Sequence, residues 1–600
     1  MNLHRSLSWI ALPLLLTGTL AVPAQQPASP GEPTPMIRVT TRLVVVDVVV
    51  TDKAGKPVRD LKTDDFVLED NGKKQTISMF SLEQPGTPAS LPSLPPNIYS
   101  NRPQFNMPSG PLTILLIDGL NSPFADQARV RQELIKYAGT QLRPGQPTAI
   151  YALGNQLYKL QSFTSDPAVL KAAIESYRPV SLPQHASTMA PVQGSTALAT
   201  GAGSTRPGAL QAASALEINS LAIFQAEQAV PALEARIETT LAAMRAIARE
   251  LAGHPGRKNL VWVSAGFPVS LVPDTNSITV VNTRAADPTG PPPLPNEQTF
   301  ASYNQGIRQQ SVENVRRTAA LLADSQIAIY PVDARGLVGA ISDASSSGLT
   351  ASGTLMGGQD FGQSVSNAQA RLESSQSSMH DMARETGGRV FVNRNDIDNS
   401  VATAASDGGT CYTLGYYPEK KKFDDSFHKL KITLSRGDLQ ARYRRGYFAL
   451  DLGNASKKEK EAEMAASLRG QAQSTQVFFD ARVQPPAPAA QMKVPVQFLV
   501  RTDSFSTEAA SGDGRQLNLD FFAAAYTPDG KPVANAGQTV NTAVTGQQFS
   551  QIQQQGLLLP VELTLPPGAY QLWLAVRDNR TGYFGTLTVP LDLTKPASAP

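Results

Sequence analysis

The sequence has only one cysteine, Cys411, among its 600 residues. An intramolecular disulfide is therefore impossible, and the folded domains must be held together by their hydrophobic cores. Histidine is also scarce: the five histidines form no HExxH motif or other close ligand pair, which gives a zinc protease no support. A Walker A loop is absent too, so a nucleotide-phosphate site has no sequence signal.

Strong charge of either sign is missing as well. The formal net charge is +3, with 53 Lys and Arg against 50 Asp and Glu, and no long basic run occurs. Nucleic acid is therefore not expected as a partner. The hydrophobic content of 41% is sufficient for ordinary packed cores. At about 100–200 residues per domain, the length predicts three or four domains.

The first 24 residues have the layout of a secretory signal peptide. Arg5 precedes an apolar stretch from about Leu7 to Leu20, and small residues lead to Ala24, where we expect cleavage. An uncleaved anchor helix is the alternative, but an apolar run of about 14 residues is short against the roughly 20 that a bilayer span needs. We therefore expect an exported protein, periplasmic or extracellular, with no transmembrane segment after the signal peptide.

Two regions have the composition and alternation of β-structure. Residues 36–83 are rich in Val, Thr and Ile and contain Asn71-Gly72, a type I′ hairpin signal, so we predict an N-terminal β-module. Residues 476–593 alternate apolar and polar positions between Pro-Gly and Asn-Arg-Thr-Gly turns, which predicts a C-terminal β-sandwich. The connecting segments are interpreted as a Pro-rich linker, a charged helical linker and a disordered tail, at residues 84–110, 452–475 and 594–600.

Residues 111–451 alternate between apolar strands and amphipathic helices. This alternation predicts βαβ crossovers and a mostly parallel sheet with helices on both faces. The strands are expected at Leu112–Asp118, Thr148–Leu153, Asn259–Ser264, Ile327–Asp333, Arg389–Asn393 and Cys411–Tyr417. Two long insertions, at about 178–227 and 336–369, are rich in small and polar residues and are expected to be disordered.

Several separated motifs now point to a family. They are "VVVDVVVTDKAGKPVRDLKTDDFVLEDNGKKQTISMFS", "LTILLIDGLNS", "LQSFTSDPAVLKAAI", "LAGHPGRKNLVWVSAGFP", "YTLGYYP" and "RYRRGYFAL". The segment 111–451 resembles a von Willebrand factor A (VWA) domain, and the wider arrangement resembles the VWFA-related proteins found in Acidobacteria. The resemblance covers about Ile37 to Leu450. It implies an α/β fold with a doubly wound, Rossmann-type, mostly parallel sheet, flanked by the two β regions.

The resemblance also implies a metal-ion-dependent adhesion site, built from Asp-x-Ser-x-Ser, a Thr and an Asp on three loops. Such an oxygen-rich site suits Mg²⁺ or Mn²⁺. Asp118 and Ser122 match the first and last positions of the first loop, but Leu120 stands at the middle one. Ala265 occupies the place of the third-loop aspartate. The second-loop threonine is Thr164 or, within the first insertion, Thr196.

Asp118, Ser122 and Thr164 would be an incomplete set of ligands, so we favour a degenerate site and expect no cofactor. Two alternatives stay open. The first is a working Mg²⁺ or Mn²⁺ site completed by further ligands. In the second, Asp118 is structural and caps a helix that begins near Pro123.

Catalysis is not expected. "WVSAG" places Ser264 where a nucleophile elbow has its serine, but Trp262 stands where that turn needs glycine. Cys411 lies within a predicted strand and is interpreted as a small core residue.

We therefore predict a non-enzymatic protein that binds another protein or a cell-envelope component through the loops after Asp118, Leu153 and Ser264. The residues predicted to contact the partner are Asp118, Asn121, Ser122 and Ser264. Metal-dependent adhesion through the same face is one alternative. A structural envelope protein assembled through its β domains is another.

Overall fold

The computed structural model describes residues 43–84, 92–106, 111–142, 146–180, 234–266, 314–337, 358–407, 409–418, 426–449, 472–484, 486 and 491–594. These residues form a mixed α/β structure and belong to one compact unit. The predicted signal peptide lies outside the described residues. Within them, no helix combines the length and the apolar character needed to cross a membrane.

The elements are numbered along the chain. The strands are β1 (Val44–Thr51), β2 (Phe66–Asp70), β3 (Lys73–Gln75), β4 (Met79–Glu83), β5 (Ile98–Ser100), β6 (Leu112–Asp118), β7 (Thr148–Leu153), β8 (Leu157–Thr164), β9 (Lys258–Ser264), β10 (Ile327–Asp333), β11 (Cys411–Tyr416), β12 (Phe427–Leu434), β13 (Gln440–Arg442), β14 (Gly446–Phe448), β15 (Phe479–Val483), β16 (Met492–Val500), β17 (Glu508–Ala509), β18 (Arg515–Tyr526), β19 (Pro532–Val544), β20 (Leu557–Leu565), β21 (Ala569–Asp578) and β22 (Phe584–Asp592). The helices are α1 (Pro103–Asn106), α2 (Phe124–Thr140), α3 (Pro167–Ser176), α4 (234–251), α5 (314–324), α6 (Gly358–Thr386), α7 (Ile397–Asp407) and α8 (Gly546–Gln555).

The central sheet has five strands in the order β10-β9-β6-β7-β8. Its pairs are parallel except for the last, because β8 runs antiparallel to β7. β6 is apolar without alternation because both of its faces are buried: Leu115 and Ile117 pack against α2, α3 and α7, whereas Ile114 and Leu116 pack against α4 and α5. The expected mostly parallel sheet with helices on both faces is thus confirmed.

The central strands follow the predicted bounds closely. β6, β7 and β10 have the predicted bounds, and β9 begins one residue earlier, at Lys258. The expected strand at Arg389–Asn393 is reduced to a single bridge between Phe391 and Val332. The antiparallel edge strand β8 was not predicted, because its amphipathic residues lack the long apolar run of a central strand.

The N-terminal β-module is not a separate unit of residues 36–83. Its two four-stranded sheets, β13-β1-β11-β4 and β14-β12-β2-β3, combine strands from before and after the α/β domain. They share one hydrophobic core, in which Val46 and Leu68 meet Tyr412 and Ile432. The prediction that Cys411–Tyr417 belongs to the α/β sheet is therefore wrong. The α/β domain is an insertion between β4 and β11, and its last helix ends at Asp407.

The C-terminal region contains two antiparallel sheets around one core, as expected for a β-sandwich. One sheet is β20-β16-β15-β5, and the other contains β17, β18, β21 and β22 with β19 beside β18. β5 comes from the predicted Pro-rich linker and pairs with β15, for example through Ser100 and Asp480. That segment is therefore part of the sandwich rather than only a linker.

The remaining boundaries are described in part. Most of the first insertion and residues 338–357 of the second lie outside the described residues, as do the tail from 595 onward and residues 452–471 of the helical linker. The expectation of disorder is wrong for residues 358–369, which form the start of α6. At the end of the helical linker, Thr475 makes a β-bridge to Gly585 instead of continuing a helix.

Candidate functional site

The candidate site lies where the strand order of the central sheet changes direction. From β6 the chain passes through α2 to β7 on one side, and it later returns through α4 to β9 on the other side. Asp118 ends β6, Ser264 ends β9, and Asp333 ends β10 at the same edge. Ligands of open α/β sheets bind at such switch points, outside the carboxyl ends of the strands.

The carboxylate of Asp118 is surrounded by hydrogen-bond donors of the protein. Its side chain is almost fully buried, with the residue 1% exposed. Oδ1 accepts the backbone N–H of Asn121 (2.9 Å), and Oδ2 accepts the Asn121 side-chain amide (2.9 Å). Oδ2 also accepts the indole N–H of Trp262 (3.0 Å) and the hydroxyl of Ser264 (2.8 Å). The Ser264 proton has a second acceptor in the Gly266 carbonyl, at 2.7 Å.

Asn121 links Asp118 to helix α4. Its side-chain amide also donates to Thr240 Oγ1 (2.9 Å), and its side-chain oxygen accepts from Arg236 (3.2 Å). Thr240 in turn donates to the Arg236 carbonyl, one helical turn back (2.9 Å). Asn121 therefore uses both amide protons and its carbonyl within the protein. It acts as a bridge between the first loop and α4.

Ser122 and Gln127 hold the rest of the loop. Ser122 Oγ accepts the backbone N–H of Ala265 (2.9 Å), which joins the loops after β6 and β9. The Gln127 side-chain amide donates to the carbonyls of Gly119 and Ser122, and its oxygen accepts the hydroxyl of Tyr177 (2.8 Å).

The loop is closely packed around Gly119. A Cβ atom there would lie 2.8 Å from the Tyr177 hydroxyl oxygen and 3.1 Å from the Leu153 carbonyl oxygen. A side chain at this position would therefore require Tyr177 and the loop to shift.

The pKa values of Asp118 and Arg236 are shifted by burial and by the polar groups around them. Burial raises the pKa of Asp118, while the hydrogen bonds from Asn121, Ser264 and Trp262 act to lower it. Burial lowers the pKa of Arg236, and the charge of Asp118 acts in the opposite direction. A buried carboxylate needs such partners, because an unpaired charge in the interior is very costly.

A second carboxylate at this edge is also held by the protein. Asp333 is buried, and Arg335 binds both of its oxygens: Nε contacts Oδ1 and Nη2 contacts Oδ2, each at 2.8 Å. Such a bidentate pair is among the stronger charge-assisted contacts. The carboxylate of Asp333 thus already has a positively charged partner within the protein, the guanidinium group of Arg335.

The structure brings four of the predicted site residues together and separates the fifth. Asp118, Asn121, Ser122 and Ser264 form one network, but Thr164 ends β8 beside Thr148, at the opposite edge of the sheet from Asp118. At about 3.3 Å per residue, the length of β7 places these edges roughly 16 Å apart. The grouping of Thr164 with Asp118 and Ser122 is therefore wrong, and Thr196 lies outside the described residues.

The helix-cap alternative is not supported either. Helix α2 begins at Phe124, with Pro123 at the N-cap position and no side-chain cap. Asp118 instead accepts the Asn121 N–H within the loop. Its role in the structure is to close the loop, not to cap the helix.

The donor set does not fit a divalent cation. A metal at Asp118 would face the N–H groups of Trp262 and Asn121, which are donors and cannot act as ligands. Leu120, in place of the middle serine, packs into the core, and Ala265 offers no side-chain oxygen. Among the described residues, no group of three or more His, Cys, Asp or Glu side chains could hold a metal ion.

The predicted contact residues are too buried to touch a partner directly. Asp118, Asn121, Ser122 and Ser264 are all buried. Exposed apolar side chains instead lie around the first turns of α2: Phe124 (54% exposed), Val180 (51%) and Leu337 (66%). Gln127 binds the backbone of Val180, and Arg129 of α2 binds the Ala334 carbonyl close to Leu337. We call Phe124, Val180 and Leu337 the apolar rim.

Sequence reasoning missed several members of the network. The motif comparison gives Trp262 only a negative role, as the residue that stands where a nucleophile elbow needs glycine, whereas its indole N–H donates to Asp118. Arg236 and Thr240 lie four residues apart in α4, beside its apolar residues Ile237 and Leu241. Polar residues at helical spacing next to a buried stripe were the available signal.

In a comparison with models of known protein families, the chain matches none, and no curated protein sequence matches it either.

Proposed function

We propose that this chain is an exported, non-enzymatic binding protein with a doubly wound, VWA-like domain that recognises a protein or a cell-envelope component without a metal ion. The observation that carries the proposal is the Asp118 carboxylate, whose oxygens already accept hydrogen bonds from Asn121, Trp262 and Ser264. The strand order around β6 and the "DGLNS" loop support the VWA-like assignment.

The same observation disfavours metal-dependent adhesion. Mg²⁺ demands near-octahedral oxygen coordination at about 2.0–2.1 Å and gives up its water reluctantly. Binding here would require the loss of the indole and amide hydrogen bonds to Asp118, with only the Ser122 hydroxyl nearby as a further ligand of the family pattern. The protein donors therefore occupy the positions that a cation would need.

The apolar rim is the surface we assign to the partner. Phe124, Val180 and Leu337 are large and exposed, and each lies beside the first two turns of α2, near the carboxyl edge of the sheet. Open α/β folds bind their ligands at this edge. The buried network beneath them holds the loop rigid, so little conformational entropy is lost when a partner binds.

Co-sedimentation with the cell-envelope fraction of the producing organism tests the proposal. We expect the purified protein to sediment with the envelope equally well in chelator and in millimolar Mg²⁺ or Mn²⁺. The double variant Phe124→Ser, Leu337→Ser should stay in the supernatant. Leu558→Ser, which alters a comparably exposed leucine in the C-terminal sandwich, should behave like the wild type. Release by chelator would instead favour the metal-dependent alternative, and binding by the double variant would remove the rim from the proposal.

A further inference from the structure

Strand β19 forms an unusually long open edge of the C-terminal sandwich. It is the longest of the described strands, with 13 residues, and it pairs with β18 along one side. Within the described part of the chain, no strand pairs with its other side. Most of its residues are exposed, and its sequence, "PVANAGQTVNTAV", contains no charged residue.

The other edges carry the protections that natural sheets use against unwanted pairing. β20 contains Pro560 at its centre and Glu562 paired with Lys493, and β8 contains Lys159. The edge strands β3, β13 and β14 are only three residues long. Short strands, proline and charge each discourage edge-to-edge association. β19 lacks all three along its length, apart from the proline at its first position.

The side chains on the solvent face of β19 are tied back to β18. Thr539 donates to Asp520 (2.7 Å), and Asn541 accepts from Gln516 (2.8 Å). These contacts hold the side chains over the sheet, so they do not cover the backbone edge. The outer row of backbone N–H and C=O groups has no strand partner among the described residues, although β20 lies close to part of β19. Such a row can accept another strand by main-chain pairing.

We propose that two copies of this chain associate by antiparallel pairing of β19 with β19, so that the β18-containing sheets of the two sandwiches become continuous. Two identical strands without charge do not repel each other, and Asn, Gln and Thr side chains can pair across a two-fold axis. An antiparallel pair centred on the middle of β19 places Gln538 opposite its own copy. Because β19 has no charged residue, it offers no charge complementarity that would favour the strand of a different protein.

The association is expected to be weak. A single pair of strands buries an area at or below the low end of specific interfaces, about 1,200 Å². We therefore expect a dissociation constant in the micromolar range.

Sedimentation equilibrium of the full chain from about 1 to 200 µM tests the proposal. The wild type should shift from monomer to dimer across this range, whereas Gln538→Lys should remain monomeric because two lysines would face each other at the axis. Gln571→Lys is the matched control, since Gln571 is exposed on the interior strand β21. It should dimerise like the wild type, and all three proteins should share one melting temperature at about 1 µM, where each is a monomer.

Three results would overturn the proposal. A wild type that stays monomeric at the highest concentration would show that the edge does not self-associate. A Gln538→Lys variant that still dimerises would place the contact elsewhere. Dissociation of the Gln571→Lys control together with Gln538→Lys would show a general effect of added charge.

Discussion

At the residue scale, Asp118 shows how donors of the protein itself can engage an acidic residue at the end of a buried strand. The carboxylate is held by N–H groups from two different elements and by a hydroxyl from β9. Hydrogen bonds to an ionised group contribute more than neutral ones, and the cost of leaving such a group unpaired is larger still. The network therefore stabilises the loop in one conformation, as a metal would.

Replacing Asp118 by Asn should reveal this dependence. The variant keeps the shape of the side chain but turns one acceptor oxygen into an N–H₂ group that faces the donors of Trp262 and Asn121. We expect the free energy of unfolding in urea to fall by about 2–4 kcal/mol, with an unchanged m-value. Asp126→Asn, on the partly exposed start of α2, is the control and should cost less than about 1 kcal/mol. Equal effects of the two substitutions would mean that the network contributes nothing special.

Lys258, the first residue of β9, should make the free energy of unfolding depend on pH. Its ammonium group is fully buried and donates to the carbonyls of His254 (2.6 Å) and Ser325 (2.7 Å). Burial lowers the pKa of Lys258 from its ordinary value of 10.5 to about 8, although Asp47 and Glu83 act to raise it.

Between about pH 8 and the ordinary lysine pKa of 10.5, the unfolded chain should bind more protons than the folded chain at Lys258. The free energy of unfolding should therefore rise with pH in this window, by up to about 1.4 kcal/mol per pH unit, and this contribution should be lost as the pH falls to 8. Urea titrations from pH 7.5 to 10 measure the slope. Lys258→Met should remove it, whereas Lys493→Met, at an exposed lysine, should keep it. A slope that survives in Lys258→Met would assign it to other groups.

At the scale of the elements, the sequence predicts where individual strands lie but not which strands pair when they are far apart in the chain. β6, β7 and β10 are predictable because a strand buried on both faces must be a short, continuous apolar run. β11 also reads as a buried strand, but nothing in its own residues shows that its neighbours are β1 and β4 rather than β10. The predicted position of Thr164 is wrong for a related reason. β8 runs antiparallel to β7, so Thr164 at the end of β8 lies at the edge where β7 begins, opposite to Asp118.

The two sheets that combine β1–β4 with β11–β14 allow a prediction about fragments of the chain. A fragment of residues 104–450 contains the α/β domain but lacks β1 to β4, so Tyr412 and Leu414 lose their packing against Val46 and Val48. A fragment of residues 36–450 retains both halves of the core. We expect the longer fragment to unfold in one cooperative thermal transition, and the shorter one to aggregate or to melt at a clearly lower temperature. Equal melting temperatures would contradict the insertion of the α/β domain between β4 and β11 of these two sheets.

At the scale of the whole molecule, the described domains are connected by chain segments that cross between them. β5 precedes the α/β domain in sequence but pairs with β15 of the C-terminal sandwich. Thr475 donates to the Glu250 carbonyl (2.7 Å) and accepts the Gly253 N–H (2.9 Å), which fastens the C-terminal sandwich to the end of α4. Such connections leave no compositional signal. They were therefore not predictable from residues 84–110 or 452–475.

The central claim is that the protein itself fills the position of a metal at Asp118. The most direct test is thermal unfolding of the chain from Gln25 onward, first in chelator and then with about 10 mM Mg²⁺ or Mn²⁺. An ion present at about 100 times its dissociation constant would stabilise the fold by about 2.7 kcal/mol, a readily visible rise in melting temperature. We predict no shift with either ion. A rise that disappears in Asp118→Ala would contradict the account and establish a working metal site.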